Sequence, residues 1–394
     1  MRLSKRAQGI SLSVTLALDA RAKALAATGA DVVNMSVGEP DFEAPAAARE
    51  AAARRALEGP VRYTAAAGMP ELRRAVAGWL GRTRGVEFAP EQTVICHSTK
   101  HALSGAVLAV IDPGDEVLLL DPAWVSYVEI VRVAGGVPVA VAPRTDLGPD
   151  FAALRARITP RTRAVLVNSP SNPSGYVWTH AEVRELAALA REHELWILSD
   201  EIYQRLIYEG EPHLSPAACG EDARERTIVL DGASKAYAMT GYRIGFAAGP
   251  RALIDSIVAL HSQLTGAANT ISQTAFRAVL EAPGGEPPEV GVMVTEFDRR
   301  RRVLLQGLAA LGLTTPHPRG AFYAFPDVSP WLDARGSVGF CEDLLEQQQL
   351  ALVPGAAFGL DHHVRLSYAT SLDQIREAVR RLGAFLDGRS GPRG

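Results

Sequence analysis

Residues 163–200 read RAVLVNSPSNPSGYVWTHAEVRELAALAREHELWILSD, and this stretch decides the fold. RAVLVN (163–168) and LWILSD (195–200) are apolar runs of strand length, and THAEVRELAALAREHE (179–194) between them has the pattern of an amphipathic helix. The same alternation extends outward. TVIC (93–96), EVLLLD (116–121), VPVAVA (137–142), TIVLD (227–231) and IGFAAG (244–249) are further strand candidates, with helical patterns between several of them. Strands alternating with helices predict an α/β fold with a mostly parallel sheet covered on both faces.

The two ends differ from this centre. Residues 252–312 read as helical, with a break at APGGEPPE (282–289). AFYAFPD (321–327), a helix near 337–348, LALVP, VRLSYA and a final helix from about 372 predict a second, smaller α+β domain. The first 45 residues show no strand run of their own and are expected to pack with it. The expected division is a large domain over 46–280 and a small one formed by 1–45 with 281–394. The polar tail 388–394 is expected to be disordered.

Composition excludes several function classes. The chain has 394 residues, 47% hydrophobic and 22% charged, with net charge −3. That is ample core material, and the charge gives no footprint for nucleic acid. Cys96, Cys219 and Cys341 are far apart and read as structural. No metal site is expected: no HExxH-type pair occurs, and the adjacent His362 and His363 could not share a helix face. No apolar run is long enough to span a membrane, and the start MRLSKRAQGISLSV lacks a signal-peptide core, so the cytoplasm is the expected compartment.

Of 41 basic residues only Lys5, Lys23, Lys100 and Lys235 are lysines. Lys235 lies in DGASKAYAMTGYRIG (231–245), eight positions before Arg243. The count alone favours an ordinary surface lysine, since such bias usually follows genome composition. Chemistry offers an alternative. An amine that must lose its proton and attack a carbonyl cannot be arginine, whereas lysine forms Schiff bases.

The surroundings decide. Ligands of open parallel sheets bind at the carboxyl ends of the strands. Asp200 ends LWILSD, Asn172 follows RAVLVN, Lys235 follows TIVLD, and Ser98-Thr99-Lys100 follows TVIC and opens a helix. A Ser or Thr there is usually a cap, but a helix start also suits a phosphate. A Schiff-base lysine, a phosphate cradle and a strand-end carboxylate together suggest pyridoxal phosphate. Nucleotide readings are weak, because neither GxGxxG after a strand nor GxxxxGK[ST] occurs.

Nearly the whole chain resembles the class I/II aminotransferases of fold type I, in particular the bacterial aspartate/aromatic subgroup. The resemblance rests on SVGEPDF (36–42), RYTAAAGMPELRRA (62–75), DPGDEVLLLDPAWVSY (112–127), NSPSNPSG (168–175), SDEIYQRLIYEG (199–210), SKAYAMTGYRIG (234–245), the long helix beginning near Phe297, and VRLSYATS (364–371). It implies the pyridoxal-phosphate transferase fold, with Lys235 as the Schiff-base and proton-shuttling lysine. Asp200 would pair with the pyridine nitrogen. Tyr203 and Asn172 would hydrogen-bond the phenolate oxygen, and Trp124 would stack on the ring. Ser98, Thr99, Lys100, Ser234 and Arg243 would surround the phosphate. Tyr63 would reach the phosphate of a neighbouring subunit, giving a homodimer with active sites at its interface. Arg365 would clamp the substrate α-carboxylate, helped by Asn172 and the backbone at Gly38. Ser13 and Thr15 would line the entrance.

Singly, Trp124 reads as a core aromatic, Tyr203 as a helix start and Arg365 as an edge-strand surface cation; the ordered set outweighs these readings. The Lys100 side chain could point to solvent while only its N–H binds. Three departures stand out. Ser98-Thr99 replaces two small residues, His101 replaces a glutamine, and Gly232 stands where many relatives offer a hydroxyl. The phosphate is expected to lean on Ser98 and Thr99 in compensation. The uncharged helix ALSGAVLAVI argues against a site specialised for aspartate alone. The implied activity is ping-pong transfer of an amino group from an L-amino acid (aspartate, aromatic or related) to a 2-oxo acid such as 2-oxoglutarate. A lyase on the same cofactor is the alternative. A regulatory aminotransferase-like domain is a weaker one, since no helix-turn-helix precedes residue 30.

Overall fold

In the computed structural model, which describes residues 3–10 and 14–389, the stretch 163–200 folds as strand, helix and strand. Ser13 and residues 390–394 lie outside the described residues, as does the side chain of Thr15. The helix His180–Glu192 begins where Thr179 and Glu182 cap each other: Thr179 Oγ1 accepts from the Glu182 N–H at 3.2 Å, and the Glu182 carboxylate accepts from the Thr179 N–H at 2.8 Å. Its Val183, Leu186, Ala187 and Ala190 fall on one face and are buried against the sheet.

The central sheet has seven strands: β1 (Thr93–Cys96), β2 (Glu116–Leu120), β3 (Val137–Val141), β4 (Thr162–Asn168), β5 (Trp196–Asp200), β6 (Thr227–Gly232) and β7 (Gly245–Ala248). Their spatial order is β1-β7-β6-β5-β4-β2-β3. All neighbours are parallel except β7, which runs antiparallel to both β1 and β6. The start of β7 therefore lies at the edge where the other six strands end. This brings Arg243, just before β7, to the same edge as Lys235, just after β6.

Helices cover both faces. Thr99–Val110 and Arg251–Leu264 pack Ala102, Ala106, Leu253 and Ile257 on one side, while Pro70–Arg84 and Thr270–Leu280 bury Leu72, Trp79, Phe276 and Val279 elsewhere. A separate core joins the long helix Pro288–Ala310, the helices Gly336–Gln348 and Leu372–Asp387, and the strands Tyr323–Ala324 and Val364–Ser367, the latter pairing antiparallel with Val353–Pro354. The N-terminal segment does contain a strand, contrary to the expectation from its sequence. Val33–Asn34 pairs in parallel with Leu350–Ala351, and Val33 and Met35 belong to this second core. Two residues are too few to show a period-2 pattern.

Cys96 and Cys341 are buried and Cys219 half-buried, all as free thiols. Burial pushes the Cys96 thiol up to about 12, which suits core packing rather than reactivity. Among the described residues no helix is long and apolar enough to cross a membrane.

Candidate active site

A cavity of about 540 Å³ opens at the carboxyl edge of the sheet and reaches to the second core. Its wall brings together Gly38, Ser98, Thr99, Lys100, Trp124, Asn172, Asp200, Tyr203, Ser234, Lys235, Arg243 and Arg365. Twelve residues named from sequence thus converge from segments more than 300 positions apart. Tyr63 does not line it; its side chain is 100% exposed.

Lys235 follows β6 and extends into the cavity. Its stem is half-buried, and Nζ donates to the Gly38 carbonyl. Burial lowers its pKa to about 8, with Arg365 and Arg243 adding to the shift against the pull of Glu39 and Asp200. A large fraction of such amines is neutral near pH 8, which a nucleophile requires.

Asp200 ends β5 and is buried, with its pKa raised to about 6 by that burial. Tyr127 resists the shift by donating to Oδ2 at 2.7 Å, and the Ile202 N–H donates to Oδ1 at 3.2 Å. Trp124 meets the Tyr127 ring edge to face at 5.3 Å. Lys100 is exposed, and its Nζ lies 4.7 Å from the centre of the Trp124 ring.

At the other end, Ser98 caps the helix Thr99–Val110, accepting from the His101 N–H at 3.2 Å. The first N–H groups of a helix have no internal partners and carry its positive dipole end. Thr99 Oγ1 is buried there without a hydrogen-bond partner. The departure at Gly232 has a steric cause. A Cβ there would lie 2.7 Å from Gly245 Cα and 2.8 Å from both the Ile244 carbonyl oxygen and Thr99 Oγ1. The close approach of β7 to β6 leaves no room for a hydroxyl side chain. Arg243 is held at φ 52°, in the left-handed region, with Nη1 donating to the Thr240 carbonyl at 2.9 Å. Non-glycine residues rarely adopt that conformation, and it aims this side chain at the edge.

Arg365, on the Val364–Ser367 strand, is only 2% exposed. Nη1 donates to Asn172 Oδ1 at 3.0 Å and Nη2 to the Ser36 carbonyl at 2.7 Å, while Nε has no partner. Its guanidinium carbon lies 4.5 Å from the centre of the Tyr323 ring and 5.2 Å from that of Phe358. Among the described residues no carboxylate pairs with it, and a buried guanidinium is well suited to take one from a ligand.

Sequence reasoning missed Tyr127, Tyr323 and Glu39. Tyr203 and Tyr323 share a hydrogen bond at 2.9 Å between their hydroxyls, and Glu39 accepts from Thr240 Oγ1 at 2.8 Å. All three lie inside stretches already singled out, SVGEPDF, DPAWVSY and AFYAFPD, but a tyrosine amid apolar neighbours gives no sign of which way its hydroxyl faces.

Comparison with known proteins agrees with the geometry. The family described as "Aminotransferase class I and II" matches residues 30–382. The chain is 44% identical to the aspartate/prephenate aminotransferase of Thermus thermophilus, covering 98% of each. It is 39% identical to the aspartate aminotransferase of Geobacillus stearothermophilus, covering 99% of this chain and 100% of that one. The solved structure of Thermus thermophilus aspartate aminotransferase with maleate superposes with a TM-score of 0.94 at 44% identity, covering 98% of this chain and 100% of that chain.

Proposed function

The chain belongs to the class I and II aminotransferases, and from that premise we propose how its residues divide the work. It is a pyridoxal-phosphate-dependent enzyme of fold type I that moves an amino group from an amino acid to a 2-oxo acid. One observation carries the residue assignment: a single cavity holds a lysine amine of lowered pKa, a buried carboxylate and an unpaired buried guanidinium.

The residues fit the cofactor. The orphaned Thr99 Oγ1 and the helix start offer donors to a phosphate, with Ser98, Lys100, Ser234 and Arg243 around it. Asp200 is suited to hold a proton on the pyridine nitrogen. Asn172 gives its Oδ1 to Arg365, so its amide NH₂ remains to donate to the phenolate oxygen beside Tyr203. Trp124 offers a face for the ring. When bound, pyridoxal phosphate supplies an electrophilic carbon and a ring that stores the electron pair left at the substrate Cα.

Lys235 Nζ would hold the cofactor, and as a free amine it would take the proton from the substrate Cα. An amine poised near 8 is matched to that task, and such a positioned base contributes about 10²- to 10⁴-fold. Arg365 orients the α-carboxylate, helped by the backbone at Gly38, so that the Cα proton faces Nζ. Both half-reactions of a ping-pong cycle use this clamp, because amino acid and 2-oxo acid share the carboxylate. Aspartate is the first donor to try, since the relatives carry it in their names.

We further infer a homodimer in which Tyr63, fully exposed on its own chain, reaches the partner's phosphate. The division into a 46–280 domain and a domain of 1–45 with 281–394 is supported by the two sets of cores. A cytoplasmic setting suits three free thiols. The test is transfer of ¹⁵N from labelled aspartate to 2-oxoglutarate. Labelled glutamate supports the assignment; consumption of aspartate with release of labelled ammonia would establish the lyase instead.

A further inference from the structure

We propose that Asp327, His362 and His363 form a binding site for a borderline divalent metal ion of the Zn²⁺ class, separate from the cofactor cavity. One ligand atom from each of the three lies within 4.8 Å of the others. The adjacency of the two histidines, which would separate them on a helix, does not do so here. His362 is in the turn before the Val364–Ser367 strand, and His363 forms an isolated antiparallel bridge with Asp327.

The backbone of both segments is fixed before any ion arrives. The Val328 N–H donates to the His362 carbonyl and the Gly355 N–H to the His363 carbonyl, both at 2.8 Å. The Ser329 N–H donates to Asp327 Oδ1 at 2.7 Å, orienting the carboxylate and leaving its second oxygen for a ligand bond. His363 is 6% exposed, stacked on Phe325 at 4.8 Å and 8°, and its Nδ1 is buried with no hydrogen-bond partner. An orphaned buried imidazole nitrogen beside a second imidazole and a carboxylate is a donor set for an ion. His362 is exposed, so the site has an open side from which an ion enters and where water completes a tetrahedral shell.

Ligand type sets the class of ion. Two imidazoles and one carboxylate suit Zn²⁺, Co²⁺ or Ni²⁺, whereas Mg²⁺ and Ca²⁺ require oxygen donors. The ion would tie the segment after Tyr323–Ala324 to the start of the strand that carries Arg365.

The test is Zn²⁺ titration of the holoenzyme, by calorimetry in chelator-free buffer with millimolar Mg²⁺ present. One ion per chain should bind, with a rise in melting temperature. His362→Ala and Asp327→Asn should each weaken binding by about 100-fold or more, since loss of even an outer-shell partner costs about 10- to 100-fold. His362 is exposed, so its replacement leaves the fold intact and transamination unchanged. Both variants preserve the separate cluster of His97, His101 and His261. Zn²⁺ affinity retained in both variants, absence of binding to the unmodified enzyme, or competition by Mg²⁺ would each overturn the proposal.

Discussion

Tyr127 donates its hydroxyl proton to Asp200 Oδ2 at 2.7 Å, and both side chains are buried. A hydrogen bond to a charged group is worth about 1.5–3 kcal/mol. In this pair it holds the carboxyl pKa down against burial, and the balance leaves it raised to about 6. Tyr127→Phe should therefore let Asp200 keep its proton to higher pH. Cofactor affinity should fall roughly 10- to 150-fold, and the pH midpoint of cofactor binding should move up. Equilibrium dialysis across pH 5–8 checks both; an unmoved midpoint would reduce Tyr127 to a packing residue.

Lys235 should be the attachment point. Borohydride reduction and peptide mapping should place the pyridoxyl group there, and a label on Lys100 would refute the assignment. Because the amine must be unprotonated to attack, covalent capture of cofactor by the apoprotein should accelerate as pH rises through about 8. Lys235→Arg should still bind cofactor non-covalently but lose transamination, since a guanidinium neither attacks nor shuttles a proton.

Arg365→Ala should weaken amino acids and 2-oxo acids alike. Losing one partner of a buried charge pair costs about 2–5 kcal/mol, or roughly 30-fold to several-thousand-fold in affinity. Removing the positive charge of Arg365 should also raise the Lys235 pKa, which Arg365 helps to lower. A defect confined to acidic substrates would move Arg365 to the side-chain pocket.

Gly232→Ser would add a hydroxyl beside Thr99, but its Cβ meets Gly245 Cα at 2.7 Å. Overpacking of this kind costs about 1–3 kcal/mol. The denaturation midpoint of the apoprotein should fall, with no gain in cofactor affinity. A tighter-binding variant of equal stability would contradict the close packing of β6 on β7.

Tyr63→Ala should weaken cofactor binding although Tyr63 lies outside its own chain's cavity. Mixing Tyr63→Ala subunits with Lys235→Ala subunits should restore activity, because each hybrid dimer contains one site with both residues intact. Sustained inactivity after verified subunit exchange would mean that Tyr63 acts within its own chain, and a fully active Tyr63→Ala homodimer would mean that it does not act at all.

The sequence made the cavity's main polar residues legible because most of them sit just beyond an apolar strand. Asp200, Asn172 and Lys235 interrupt or follow such runs, and polar groups in those positions need a reason. Hydroxyl direction is not written in that way. Tyr127 and Tyr323 carry no such mark in the sequence, and only packing reveals that one OH supports Asp200 and the other Tyr203. Strand direction is similarly hidden: IGFAAG predicts a strand but cannot say that it runs against its neighbours. The strand at Val33–Asn34 exists only because Leu350–Ala351 is there to pair with it.

The antiparallel run of β7 has a mechanical consequence. β6 and β7 are joined over residues 233–244, so Lys235 and Arg243 are carried by one short loop anchored in the same sheet. Arg365 belongs to a strand of the other core. A hinge between the two cores would leave the lysine-to-arginine span rigid and change only the reach of the carboxylate clamp. In such a motion Lys235 and Arg243 would keep their spacing around a bound cofactor, and only the distance from Arg365 to the substrate would change.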